Sequence, residues 1–276
     1  MSRERRIPSS RLGRFSQLGR LAGGMVGGMV GEGARQLASG NRPALGDLLL
    51  TPANAKRLAE RLSEMRGAAM KIGQLLSMDS GQILPPQLGE ILTRLREDAH
   101  RMPLGQVAQV LDESLGKQWK QAFERFDFTP IAAASIGQVH KARLRDGRDV
   151  ALKLQYPGIE ESIDSDIRNV AMLLKLSGVL PDGLDLAPLL DEARQQLYHE
   201  ADYVHEAELL QRFHAFLEED ERFVVPAVVE ELSSKRILTM EFLHGEPIET
   251  IETLETARRN EAARRLTELA FREVFD

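Results

Sequence analysis

The sequence predicts an α+β fold, one antiparallel sheet flanked by helices, and three observations predict it. The stretch Glu124 to Tyr156 alternates apolar and polar residues on either side of Asp146-Gly147, the pattern of a hairpin with a tight turn. Two later runs, Ala227 to Glu231 and Arg236 to Phe242, read as strands as well. Between and before them lie helical rhythms, of which Leu58, Leu62, Met65, Ala69, Ile72 and Leu76 is the strongest.

A chain of 276 residues can bury a substantial core as one large domain or two smaller ones. Its 42% apolar and 28% charged residues are those of a soluble globular protein. With no cysteine there is no disulfide framework, no cysteine-ligated zinc and no thiol nucleophile. The net charge of −6 is unevenly spread: residues 1–42 hold eight arginines against Glu4 and Glu32, a balance of +6, leaving −12 for the rest. A body so acidic argues against nucleic acid as a partner.

Taken in order, the chain opens on that basic leader, in which Gly23, Gly27 and Gly31 recur every four residues within a short apolar run. Such spacing serves close helix contact in membranes, yet the run is too short for a spanning helix of about 20 residues. It reads equally as a flexible Gly/Arg-rich leader or as a segment held by arginines at anionic lipid. Pro43 to Pro52 reads as a linker. In the helix that follows, Gly67, Lys71, Gln74 and Met78 form the row beside the apolar stripe. Lys71 and Gln74 stand three apart, able to share a polar partner or to face solvent. Gly73 costs this helix about 1 kcal/mol relative to alanine, which a close approach by another element would explain.

Pro85-Pro86 precedes a helix marked by Leu88, Ile91, Leu92 and Leu95, and Pro103 to Leu115 gives another that stops at Gly116. Trp119, Phe123, Phe126 and Phe128 read as core packing. Ala132, Ala133, Ala134, Ser135 and Gly137 then make a run of small residues. Such a run lets backbone N–H groups approach a phosphate, though it also suits an ordinary close-packed turn. In the hairpin, Lys153 interrupts Val150, Ala151, Leu152 and Leu154; it is either an edge residue or a cation awaiting an anion.

A helix from Ile159 to Leu176 follows, and then one long helix from Leu186 to Leu217. Its inward stripe is Leu186, Leu190, Ala193, Leu197, Val204 and Ala207, with Glu200 in a vacant place of the rhythm. Glu206 borders that stripe in the row containing Tyr203, and Asp202 lies further round. Buried acids need partners, and Lys71 and Lys153 lack them; these pairs are functional or simply lock helices together. After the second pair of strands comes a turn, and Ile248 onward is helical. Helices, hairpin, helix pair, hairpin and helix is the element order of a protein-kinase small lobe with a helical extension.

On its motifs the chain resembles the UbiB (AarF-type) family of atypical protein-kinase-like proteins. The motifs are Lys71-Ile72-Gly73-Gln74, the alanine-rich loop Ala132 to Val139, Val150-Ala151-Leu152-Lys153 with Gln155-Tyr156-Pro157-Gly158, and Glu200-Ala201-Asp202 with Glu206. The resemblance implies four regions: the basic Gly-rich leader 1–42, a candidate membrane-associating segment; a helical extension 43–118; a kinase-like small lobe 119–243; and the start of a large lobe at 244–276. It implies that Lys153 contacts the α- and β-phosphates of ATP and pairs with Glu206, beneath a phosphate cover made by Ala132, Ala133, Ala134, Ser135 and Gly137. Lys71, with Gln74, would lie over the site as a gate paired to Glu200 or Asp202, in space that a protein substrate needs. Met240, Glu241 and Leu243 would form the hinge touching adenine through the backbone, with Met240 near the gatekeeper place.

The catalytic Asp, the metal-binding Asn and the Asp-Phe-Gly of kinases do not occur after Phe271. The resemblance therefore places the ligands of Mg²⁺ beyond residue 276, none within the chain, and implies little ATP turnover by residues 1–276 alone. For the intact protein it implies an atypical kinase or ATPase that supports ubiquinone biosynthesis at a membrane. Its partners would be a lipid-like or quinone-precursor molecule and other ubiquinone-biosynthesis proteins. The alternative is a nucleotide- or lipid-sensing pseudokinase scaffold without turnover. The expected place is the cytoplasm or the cytoplasmic face of a bacterial inner membrane, or the matrix side in a mitochondrion.

Overall fold

In a computed structural model, which describes residues 62, 65–79, 101–177 and 185–275, the fold grows from the hairpin read in the sequence. Strands β1 (Phe123–Phe126), β2 (Ala132–Ala133), β3 (Gly137–Leu144), β4 (Asp149–Gln155) and β5 (Ile237–Glu241) form a five-stranded sheet. Its order is β1-β3-β4-β5, β2 also pairs with β3, and every pairing is antiparallel. At the β3–β4 turn Gly147 has φ +91°, a conformation that costs a side chain its Cβ clearance, and Asp146 accepts the Arg148 N–H at 3.0 Å.

Period-two alternation then decides which side chains go where. Ala142, Val150, Leu152, Leu154 and Ile237 pack on one face with Trp119 and Phe123. Of the first two helices, α1 (Arg66–Asp79) and α2 (Leu104–Leu115), the second covers this face through Val107, Val110 and Leu111. It stops at Gly116, with φ +80°, where the sequence places its end. Trp119 meets Phe126 edge-on at 5.3 Å between ring centres, so the aromatics are core, as read. His140 is buried among them: it stacks on Phe126, and its Nδ1–H donates to the Asp127 carbonyl at 2.9 Å. Its Nε2 accepts from Gln138, whose amide oxygen is already occupied by the Met102 N–H. Burial pushes the His140 pKa down.

The other face, carrying Leu238 and Met240, meets four helices: α1, α3 (Ile163–Ser177), α4 (Ala187–Glu200) and α5 (Tyr203–Leu217). Leu62, Met65, Ala69 and Ile72 are all buried here, so the α1 stripe is real over the described residues. They pack with Ile136, Ile167, Val170, Leu197 and Tyr203. The last helix, α6 (Thr256–Phe275), follows a 3₁₀ segment at Ile248–Thr253. It buries no residue and is joined to the end of α5 by Arg222–Glu268 at 2.7 Å and Arg272–Asp220 at 2.9 Å.

Two expectations fail. The helix expected from Leu186 to Leu217 is two helices, broken at Ala201-Asp202. Asp202 leaves helical geometry (φ −95°, ψ 91°) and its carboxylate accepts from the Val204 and His205 N–H groups, which restarts the chain as α5. The new helix turns Val204, expected inward, out to 49% exposure and puts Tyr203 at 0%. Likewise Ala227 to Glu231 is no strand: a single bridge, Val228 to Met240, is followed by a 3₁₀ turn at Glu230–Leu232. Backbone bonds join Val229 to Thr239 and Glu241 to Ala227, and beyond them the Thr239 hydroxyl caps the Leu232 carbonyl at 2.5 Å and the Ser233 hydroxyl accepts the Thr239 N–H, which ends the ladder.

The leader 1–42, the linker, Leu58 and the helix expected after Pro86 lie outside the described residues. Among the described residues no helix is long and apolar enough to cross a membrane.

Candidate functional site

Lys153 lies in β4 opposite Val139 of β3 and Leu238 of β5, on the sheet face that looks toward α5. Its ammonium stands 3.5 Å from a carboxylate oxygen of Glu206, in the first turn of α5. The Lys153–Glu206 partnership expected from the motifs is therefore formed. Both side chains keep partial access to solvent, at 18% and 32%, which leaves the ammonium within reach of a ligand.

Beside β3, whose Val139 stands opposite Lys153, runs the small-residue loop. Ala132 and Ala133 pair with Val139 and Gln138, and the Ala134 N–H donates to the Gly137 carbonyl at 2.9 Å to close a tight turn through Ser135 and Ile136. Ile136 dives into the helical core, while Ala132 and Ala133 stay exposed. Gly137 is required by space: a Cβ there would lie 2.3 Å from the Leu154 carbonyl oxygen. The turn thus presses directly on β4, next to the residue that follows Lys153.

Helix α1 holds the loop from the other side. A Cβ on Gly67 would meet Ile136 at 2.7 Å, so helix and loop approach closely there; Gly73 is buried. One turn after Gly67, the Lys71 ammonium lies 3.1 Å from Glu200, the last residue of α4. Ser135 donates its hydroxyl hydrogen to the other oxygen of the same carboxylate. Of the two acids considered for Lys71, the structure selects Glu200; Asp202 serves instead as the N-cap of α5. Gln74 is exposed one turn further along α1.

The expected hinge residues fall at the end of β5. Met240 pairs with Ala151, two residues along from the partner of Lys153, a separation of about 7 Å at strand rise. The sheet's hydrogen bonds continue through the Glu241 N–H, which donates to Ala227, and the Phe242 N–H, which donates to Asp149. Glu241 and Leu243 are exposed beyond them.

Two participants were not legible as such. Tyr203, read only as a member of a helix row, lies directly under Lys153, with the ammonium 4.8 Å from the ring centre. Its spacing of three residues from Glu206 places both on one face of α5, the one signal that pointed to it. Ser135 was read as part of the loop, but its bond to Glu200 spans 65 residues and has no local signature. A run of small residues beside the strand that pairs with a partly exposed lysine fits a polyphosphate. Among the described residues no group of three or more acidic, histidine or cysteine side chains is placed to hold a metal ion.

Comparison with known proteins gives a consistent picture. The family profile described as "ABC1 atypical kinase-like domain" matches residues 94–276. The mitochondrial atypical kinase COQ8B of Danio rerio is 42% identical over 279 residues, covering 100% of this chain and 45% of that protein. The mitochondrial atypical kinase COQ8 of Saccharomyces cerevisiae is 41% identical over 268 residues, covering 97% of this chain and 54% of that one. AarF domain-containing protein kinase 1 of Gallus gallus is 37% identical over 195 residues, covering 68% of the chain and 37% of that protein. The chain spans about half the length of the COQ8-type relatives it matches. With the Lys153–Glu206 pair, the alanine-rich loop and the Lys71–Glu200 contact in place, the chain belongs to the ABC1 atypical kinase-like family, of the UbiB type.

Proposed function

We propose that this chain forms the nucleotide-binding half of an atypical kinase or ATPase that uses ATP with Mg²⁺ and supports ubiquinone biosynthesis at a membrane surface. The observation that carries the reading is the Lys153–Glu206 pair at 3.5 Å, in the sheet whose β3 also pairs with the loop of small residues. In this reading Lys153 neutralises the α- and β-phosphates and Glu206 restrains the lysine from behind. Ala132 to Gly137 cover the phosphates, and backbone groups from Met240 to Leu243 meet the adenine. Mg²⁺, when bound, would supply charge neutralisation at the phosphates.

Helix α1 gives the site its family character. The Lys71–Glu200–Ser135 contacts tie this extra helix to the phosphate cover. A helix so placed takes the room of a peptide, which favours ATP hydrolysis or a small lipid-like acceptor over a protein substrate. The membrane would be engaged through the arginines of residues 1–42, on the matrix side in a mitochondrion or the cytoplasmic face in a bacterium.

The test uses the intact protein with anionic liposomes. Mg²⁺-ATP hydrolysis stimulated by the liposomes and abolished in Lys153→Ala supports the reading; nucleotide binding without turnover identifies a sensing scaffold instead. Lys71→Ala should alter nucleotide affinity or turnover, and a variant indistinguishable from wild type removes the proposed gate.

A further inference from the structure

We infer that Tyr203 is a positioning residue: its ring is the seat that holds the Lys153 ammonium at the height needed to meet a nucleotide's phosphates. The inference rests on the nucleotide reading above and adds to it a residue outside the lysine–glutamate pair.

The geometry of the ammonium is the starting point. A lysine stem has four rotatable bonds, and a single carboxylate restrains only one direction of approach. At 3.5 Å the Lys153–Glu206 separation exceeds the usual 2.7–3.2 Å of an N–H···O bond, so Glu206 attracts the ammonium without fixing it. The ring of Tyr203 supplies the second wall. The ammonium lies 4.8 Å from its centre, inside the range in which a cation is drawn to the negative face of an aromatic ring.

The ring itself is fixed. Tyr203 is 0% exposed, begins α5 immediately after its Asp202 cap, and packs in the helical core with Ile136 and Leu197. Its hydroxyl, buried and making no hydrogen bond among the described residues, points to Gly137: a Cβ built on that glycine would stand 3.0 Å from it. Tyr203 thus reaches from the start of α5 to the end of the alanine-rich loop, passing under the lysine on the way. Burial, together with the charges of Glu200 and Glu206, pushes its pKa up, so the phenol stays neutral. A neutral phenol hydroxyl without a partner contributes little to packing that phenylalanine would not. The ring's position under Lys153 is what a seat requires.

The experiment separates ring, hydroxyl and fold. In the full chain carrying ¹³C-methylated lysines, with Lys153 assigned by its loss in Lys153→Arg, the Lys153 signal should show an upfield ring-current shift. That shift should persist in Tyr203→Phe and vanish in Tyr203→Leu. Nucleotide titration of the intact protein should give Tyr203→Phe an affinity within about twofold of wild type and weaken Tyr203→Leu about tenfold. Where the leucine variant fails to fold, a series of increasingly fluorinated phenylalanines at 203 keeps the shape while weakening the ring's negative face, and affinity should fall stepwise along it. An unshifted Lys153 signal, a leucine variant or fluorinated series that binds like wild type, or a phenylalanine variant as weak as leucine overturns the inference. Absence of nucleotide binding by the wild type is a different outcome: it overturns the nucleotide reading, and this role with it.

Discussion

Ser135 of the alanine-rich loop donates its hydroxyl hydrogen to Glu200 at the end of α4, on the carboxylate that also meets Lys71. One acid therefore joins the loop, α1 and α4. A double-mutant cycle on Lys71 and Glu200 should show coupling of about 1–2 kcal/mol, because both side chains are largely removed from water. Glu200→Ala alone should be the most destabilising of the three variants, since it leaves a partly buried ammonium and the Ser135 hydroxyl unpartnered. Urea denaturation measures all three; additive single-variant effects contradict the coupling.

The glycines give a second, contrasting pair. Gly137→Ala forces a methyl group to 2.3 Å from the Leu154 carbonyl oxygen and should cost about 3 kcal/mol of stability. Gly105→Ala, in the first turn of α2 with nothing within 4 Å of the new Cβ, should add about 0.5 kcal/mol. Thermal melts of the two should move in opposite directions.

Asp202 offers a third test. As an N-cap it accepts from Val204 and His205 at 3.1 and 3.2 Å. Asp202→Ala should cost about 1 kcal/mol, and Asp202→Asn should restore most of it, because asparagine caps as well as aspartate does. An Asn variant as unstable as Ala would mean that the negative charge, not the cap, is what matters here.

His140 makes stability depend on pH. Its Nε2 faces the Gln138 amide N–H₂, a group that only donates, so protonation would set two donors against each other. Burial holds its folded pKa below the ordinary value, and the unfolded chain therefore takes up a proton first as pH falls. Stability from this group is complete above about pH 6.5 and falls below it, by at most about 1.4 kcal/mol per pH unit. His140→Gln should flatten that part of the curve; an unchanged slope assigns the effect elsewhere.

How much of this was legible follows from the kind of signal involved. The hairpin could be read because period-two alternation and Asp146-Gly147 are local, and Lys153 stood out as a charge among Val150, Leu152 and Leu154. The stripe of α1 could be read for the same reason. The break at Ala201-Asp202 could not, since the apolar rhythm runs on through it while the aspartate side chain captures the next two N–H groups. Nor could the fate of Ala227 to Glu231, because β5 pairs with Ala227 to Val229 through two backbone bonds only, and from Glu230 on a 3₁₀ turn held by Ser233 and Thr239 ends the pairing. Lys71's choice of Glu200 over Asp202 is likewise settled by where α4 ends.

The attachment of α6 has a consequence of its own. This helix is joined to the rest of the described fold by Arg222–Glu268 and Arg272–Asp220, with Arg272 over the Phe216 ring at 4.8 Å, and buries no side chain. Surface ion pairs weaken as dissolved salt screens them, whereas apolar cores do not. The joint between α5 and α6 is thus tuned by ionic strength: a dilute buffer stiffens it and a concentrated one slackens it, while the sheet beside it keeps its shape.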